Sequence, residues 1–180
     1  GTRAPAEHLD RYRAEGIGEE EATELLNGFM NDMGQSVNSF IKKHGLTVNQ
    51  GQFDAMLSLT YNCGSRWMLE VSTLRTAILD GWTGSDFVFA FGQWSTAGGS
   101  TLLGLVRRRL AEANMYLNGV YSAAPPSNFC YVRFNGNGGE SEIITQGYVA
   151  DEAPVAVRAV PKYKGCRFEG WYTDPTGGEK

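Results

Sequence analysis

The sequence predicts a mainly α lobe followed by a small β-rich module, and three observations carry that prediction. Over roughly the first 120 residues, apolar side chains return at steps of three and four, the spacing that paints one face of a helix. The stretch Ser122-Ala-Ala-Pro-Pro-Ser-Asn128 then offers neither a helical period nor a core-facing side. Beyond it, apolar and polar residues alternate, as in a half-buried strand. The expected division is a helical domain at 1–121, a linker at 122–128 and a β module at 129–180, each with its own core. With 42% hydrophobic residues in 180, there is enough apolar material for both.

The first long helix begins at Glu19-Glu20-Glu21, whose charges suit the positive end of a helix dipole. Leu25, Leu26, Phe29, Met33, Val37, Phe40 and Ile41 form its apolar stripe, and Gly45 stops it. Asn49 with Gln52 three residues later is a capping-box variant that opens a second helix. Phe53, Met56, Leu57 and Leu59 line this helix, and Asn62-Cys63-Gly64 ends it. Ser72 can cap a short helix through Leu79, and Ser85 another that runs to about Trp94. The last helix spans about 102 to 117, with Gly119 as its terminator. In the module, Cys130-Tyr-Val-Arg-Phe134 reads as a strand and Asn135-Gly-Asn-Gly-Gly139 as a tight turn. Ile143 to Val149, Val155 to Val160 and Cys166 to Tyr172 are further strand-like runs. Glu7, Asp10 and Glu15 are read as solvated loop charges.

Composition excludes several classes of function. The net charge is −4 and neither part is basic, which argues against nucleic acid as a partner. No apolar run approaches the roughly 18 residues of a membrane span. His8 and His44 stand alone, there is no Gly-x-Ser-x-Gly elbow, and the three cysteines lack metal spacing, so serine or cysteine hydrolase chemistry is not expected. Cys130 and Cys166 are the only two cysteines within one expected domain, and whether they pair is open.

The chemistry-bearing pattern lies toward the end of the helical part. Trp94, the Ala97-Gly98-Gly99-Ser100 loop and Gly104-Leu105-Val106-Arg107-Arg108-Arg109-Leu110-Ala111-Glu112 follow one another, and Tyr61-Asn62-x-Gly64 precedes them. This order resembles the phage-type lysozymes or endolysins, glycoside hydrolase family 24, over about two-thirds of the chain. The resemblance implies a lysozyme-like lobe that acts on peptidoglycan glycan strands, at the β-1,4 bond between N-acetylmuramic acid and N-acetylglucosamine. It implies no metal or organic cofactor, and it implies that Asn62 faces the saccharide groove and that Arg107 or Arg108 points toward the groove or braces its loop; Gly98 and Gly99 could let a glycan approach the backbone, with a plain flexible connection between helices as the equally weighted alternative. An amide suits a sugar because it offers both donors and an acceptor; Asn62 as a plain helix end is the equally weighted alternative. Trp94 is expected to pack beneath the groove floor. Successive helical side chains point about 100° apart, so the three arginines cannot share a direction. Glu112 is expected to form an ordinary helix pair with Arg108.

Glycoside hydrolysis needs a carboxylic acid and a second group that places water. The family supplies a Glu, an Asp nine positions on and a Thr six beyond that. In this chain only Glu142 and Asp151 have the first spacing, with Val157 at the Thr position, so the pair is read as chance. The opening Gly1-Thr-Arg-Ala-Pro5 is similar to the segment just after the family's catalytic hairpin. The expectation is therefore that no catalytic residue lies in this chain and that the acid belongs upstream of Gly1.

Val132-Arg-Phe134-Asn-Gly-Asn-Gly-Gly139 and Tyr163-Lys-Gly165-x-x-Phe168-x-Gly170-Trp171-Tyr172 are similar to the internalin-type, or Listeria-Bacteroides, B-repeat, a β-grasp-like module of bacterial surface proteins. This implies contact with a bacterial surface, an extracellular or cell-wall location, and Phe168 and Trp171 as core-builders. The alternative to a hydrolase is a non-catalytic wall- or surface-binding protein.

Overall fold

The computed structural model describes residues 5–138, 144–152 and 163–180, with the backbone alone for 144–146. Glu142, Val157 and the run from Val155 to Val160 lie outside the described residues. What is described is mainly helical, with one small two-stranded sheet after the helical lobe, as expected.

The chain opens with a 3₁₀ turn, Ala6–His8, and α1, Leu9–Glu15. Glu7, Asp10 and Glu15 thus sit on helical turns rather than in an open loop. The long helix α2, Glu19–His44, follows and ends at the left-handed Gly45. Arg11 and Tyr12 of α1 both donate to the Glu21 carboxylate of α2. The Arg11 hydrogen bond, then the Tyr12 one, holds that carboxyl below its usual range. Helix α3, Gln50–Cys63, carries the full capping box: Gln52 N–H donates to Asn49 Oδ1, and Asn49 N–H to Gln52 Oε1, each at 2.9 Å.

A 3₁₀ turn, Ser65–Met68, then drives Trp67 into the core, where it is fully buried. Its indole N–H donates to Thr60 Oγ1 at 2.9 Å, and the ring packs edge-on against Phe40. Helix α4, Thr73–Leu79, is capped by Ser72 as expected. Helix α5 is Gly84–Gly92, and Thr83, not Ser85, occupies its cap position. The Ser85 hydroxyl is diverted to the backbone of Val149. A two-residue hairpin follows, β1 (Thr96–Ala97) paired with β2 (Ser100–Thr101). Gly98 and Gly99 turn it with φ of 60° and 80°, a pair of positive values that glycine adopts without strain. Helix α6, Leu103–Asn118, closes the lobe. Its inner side meets α3 closely: a Cβ on Gly51 would stand 2.9 Å from Met115 O and 3.2 Å from Gly119 Cα.

After the exposed 122–128 stretch, β3 (Phe129–Phe134) pairs antiparallel with β4 (Ile144–Val149). Among the described residues, the base of the hairpin joins the core of the lobe. Phe129 is buried in the same apolar cluster as Leu59, Trp67 and Phe91, and Gly147 of β4 lies against Val88 and Leu110. Residues 166–172 form no strand; a turn from Tyr163 to Cys166 leads into irregular chain. Trp171 instead packs between Phe134 and Phe168 at centroid distances of 5.0 and 5.3 Å. Phe168, at 36% exposure, is only a partial core-builder. Cys63, Cys130 and Cys166 are all free thiols.

Two outcomes follow from this packing. Gly51→Ala forces backbone against backbone where nothing flexible can yield, and thermal melting should show a loss of about 1–3 kcal/mol. Limited proteolysis should cut first within residues 122–128, yet the nicked halves should co-elute in gel filtration, because Phe129 and Gly147 are buried against the lobe. Separation of the halves without denaturant would contradict the shared core.

Candidate functional site

The C-terminal end of α3, the turn after α5 and the middle of α6 meet at one place. Asn62 is exposed at the end of α3, with Cys63 half-buried beside it. Cys63 Sγ lies 4.0 Å from the carbonyl of Trp94, and Trp94 packs partly buried on the core. Leu102 N–H donates to Ser95 O at 3.0 Å, tying the base of the β1–β2 hairpin to the start of α6. Gly98 and Gly99 have open space where a Cβ would project, so their backbone is approachable.

The three arginines of α6 divide as their helical directions require. Arg107 is exposed. Arg108 is half-buried and reaches α3: its Nη2 donates to Ser58 O and Oγ, and its Nε to Glu112 Oε1 at 2.9 Å. Arg109 is fully buried. Its Nη2 donates to Asn62 Oδ1 and to Glu112 Oε1, both at 3.0 Å, and its Nη1 lies 3.0 Å from Cys63 Sγ. Arg109 Nε stands 2.8 Å from Glu112 Oε2, an ion-pair contact without hydrogen-bond alignment.

Glu112 is therefore no ordinary surface partner. It is buried, paired with both Arg108 and Arg109, and accepts from Ser58 Oγ at 2.6 Å. Arg109, which sequence reasoning passed over in favour of its neighbours, had a visible signal: it shares the inner face of α6 with Val106, Leu110 and Ala113. An arginine in phase with an apolar stripe demands a buried acceptor.

This arrangement fixes the Asn62 amide. With Oδ1 receiving the guanidinium and the Cys63 thiol beside it at 3.6 Å, the amide N–H₂ is left to donate elsewhere. Asn62 is thus anchored at the helix end through Oδ1 while the residue stays exposed. The Trp94 side chain belongs to the core, as expected. Among the described residues no His, Cys, Asp and Glu grouping could hold a metal ion, and no helix is long and apolar enough to cross a membrane. A cavity of about 690 Å³ lies apart from this site, in the C-terminal module among Phe134, Trp171 and Tyr172.

Removing one partner of a buried ion pair strands the other charge. Glu112→Ala should cost about 3–5 kcal/mol in chemical denaturation, whereas Arg107→Ala should change stability by less than about 0.5 kcal/mol.

Two family models match the chain: phage lysozyme over residues 5–112, and the Listeria-Bacteroides repeat domain over 131–180. The endolysins of Lactococcus phages c2 and phivML3 are each 36% identical over 84 residues, covering 45% of this chain and 33% of theirs. The endolysin of Bacillus phage B103 is 33% identical over 110 residues, covering 61% of this chain and 40% of its own. The chain thus spans about a third to two-fifths of the length of these relatives. With the phage lysozyme model covering more than half of the residues, the chain belongs to the phage lysozyme family.

Proposed function

We propose that the parent protein of this chain hydrolyses peptidoglycan at the bacterial cell wall, at the β-1,4 bond between N-acetylmuramic acid and N-acetylglucosamine. The share of the helical lobe is to hold the glycan strand against Asn62, the Gly98-Gly99 turn, Arg107 and Arg108. The observation that carries this reading is the Asn62 amide, exposed yet oriented by the buried Arg109. A fixed amide donor is suited to a sugar hydroxyl or an N-acetyl carbonyl, and the approachable glycine turn lets a flat saccharide ring come close to backbone.

Cleavage needs an acid placed against the leaving oxygen. Glu112 cannot serve, because it is buried and its oxygens face Arg108, Arg109 and Ser58. The Glu, Asp and Thr spacing of the family is not matched elsewhere in these residues. The 180-residue chain is accordingly a binder of glycan and not by itself a cutter. The repeat-like module adds contact with the bacterial surface.

Two measurements test this. The purified chain should leave the turbidity of a cell-wall suspension at the buffer level; clearing would place a working acid among these residues. Titration with a chito-oligosaccharide should shift the Asn62 side-chain amide resonances, and Asn62→Asp, which keeps an acceptor for Arg109 but removes the amide donor, should weaken that binding about five- to tenfold while the chain stays folded. If the saccharide moves no resonance at Asn62 or the Gly98-Gly99 turn, the groove assignment fails.

A further inference from the structure

Helix α5 is unlike the other helices of the lobe. Its sequence, Gly-Ser-Asp-Phe-Val-Phe-Ala-Phe-Gly, has no polar stripe, and Ser85, Phe87, Val88, Phe89, Ala90 and Phe91 are all buried. Asp86 of the first turn is exposed, but from Phe87 to Phe91 the helix is apolar all round and must be covered all round. The cover on its outer side is the hairpin of the repeat-like module. Gly147 of β4 sits so close that a Cβ there would meet Val88 Cγ1 and Leu110 Cδ2 at 3.0 Å and Val88 O at 3.3 Å. A Cβ on Gly92, at the other end of α5, would come 3.5 Å from Gly147 N.

The polar contacts are equally specific. No side chain of the lobe caps α5. Instead Glu152, just beyond β4, accepts from Ser85 N–H at 2.6 Å and so supplies an anion to the positive end of the helix. Ser85 Oγ accepts from Val149 N–H at 2.9 Å and faces Val149 O at 3.5 Å, which satisfies the end of the strand.

We infer that the paired strands β3 and β4, with Glu152 just beyond them, act as a strap across the outer face of α5, and that this strap positions the saccharide wall. The mechanical link is short. Gly92 touches the strap, the Trp94 carbonyl reaches Cys63 beside Asn62 two residues later, and the Gly98-Gly99 turn follows. The module is thus a positioning element of the lobe and not a passive spacer. The bracing of residues 84–101 rests on the packing alone, and its role at a saccharide wall rests on the function proposed above.

Hydrogen exchange followed by mass spectrometry on the full 180-residue chain tests the strap, with Glu152→Ala, Gly147→Val and, as a control on the exposed side of β3, Arg133→Ala. Loss of the cap should speed exchange in residues 84–88 roughly five- to tenfold in Glu152→Ala. Gly147→Val should do the same across 84–101, including the glycine turn, while residues 50–60 of α3 keep their protection. Arg133→Ala should change neither. If Gly147→Val does not fold, Glu152→Ala decides, since it removes only an end contact. Unchanged exchange in 84–101 for every folded variant would overturn the inference.

Discussion

The buried Arg109–Glu112 pair is the constraint on which the organisation of the lobe turns. A guanidinium at zero exposure needs every donor directed at something, and its acceptors come from two separate segments of chain: Glu112 on its own helix, Asn62 and Cys63 on α3. Exchanging the pair for apolar residues of similar volume would cost little or even stabilise. What such an exchange would lose is specificity, because apolar packing tolerates a small rotation of α6 against α3 whereas forked hydrogen bonds do not. The close approach at Gly51 acts in the same direction from the other end of the helix pair. Between them, α3 and α6 are held in one register, and the exposed amide at the end of α3 inherits that precision.

Burial of the ionic network also separates roles within three consecutive residues. Arg109 serves the interior, Arg108 joins helices at the boundary, and Arg107 is left to solvent. Their differences come only from helical phase. Trp67 does a related job on the opposite side of α3, its one polar atom satisfied by Thr60, whose hydroxyl in turn donates to Met56 O at 2.7 Å.

Helix ends and the capping box were legible in the sequence because they are local events: Gly45, Gly119, Ser72 and the Asn49–Gln52 pair each act within one turn of chain. The motif order from Asn62 to Glu112 likewise carried the family. What was not legible depended on distant partners. Ser85 looks like a cap until Glu152, 67 residues away, takes that role and frees the hydroxyl for Val149. The expected strand at 166–172 fails for want of a partner edge among the described residues, and three aromatic rings pack in irregular chain instead. The proline-containing linker was read as a break between cores, but a covalent boundary need not be a packing boundary. The apolar run Phe87 to Phe91 was the clue, since five successive apolar residues go round the whole helix and cannot lie at the surface of a lobe uncovered.

The distance along the chain between α5 and its strap has a consequence during synthesis. The contacts that cover α5 span 55 to 67 residues, so when the helix leaves the ribosome its cover has not yet been translated. At about 5–20 residues per second the interval lasts on the order of several seconds. Throughout it, the outward side of Val88 waits for Gly147, and the nascent chain displays a greasy helix that the finished protein conceals. Completion of this lobe is therefore timed by translation of the module that follows it, and the segment most exposed to chaperones or misassembly is the one with the latest-arriving partner.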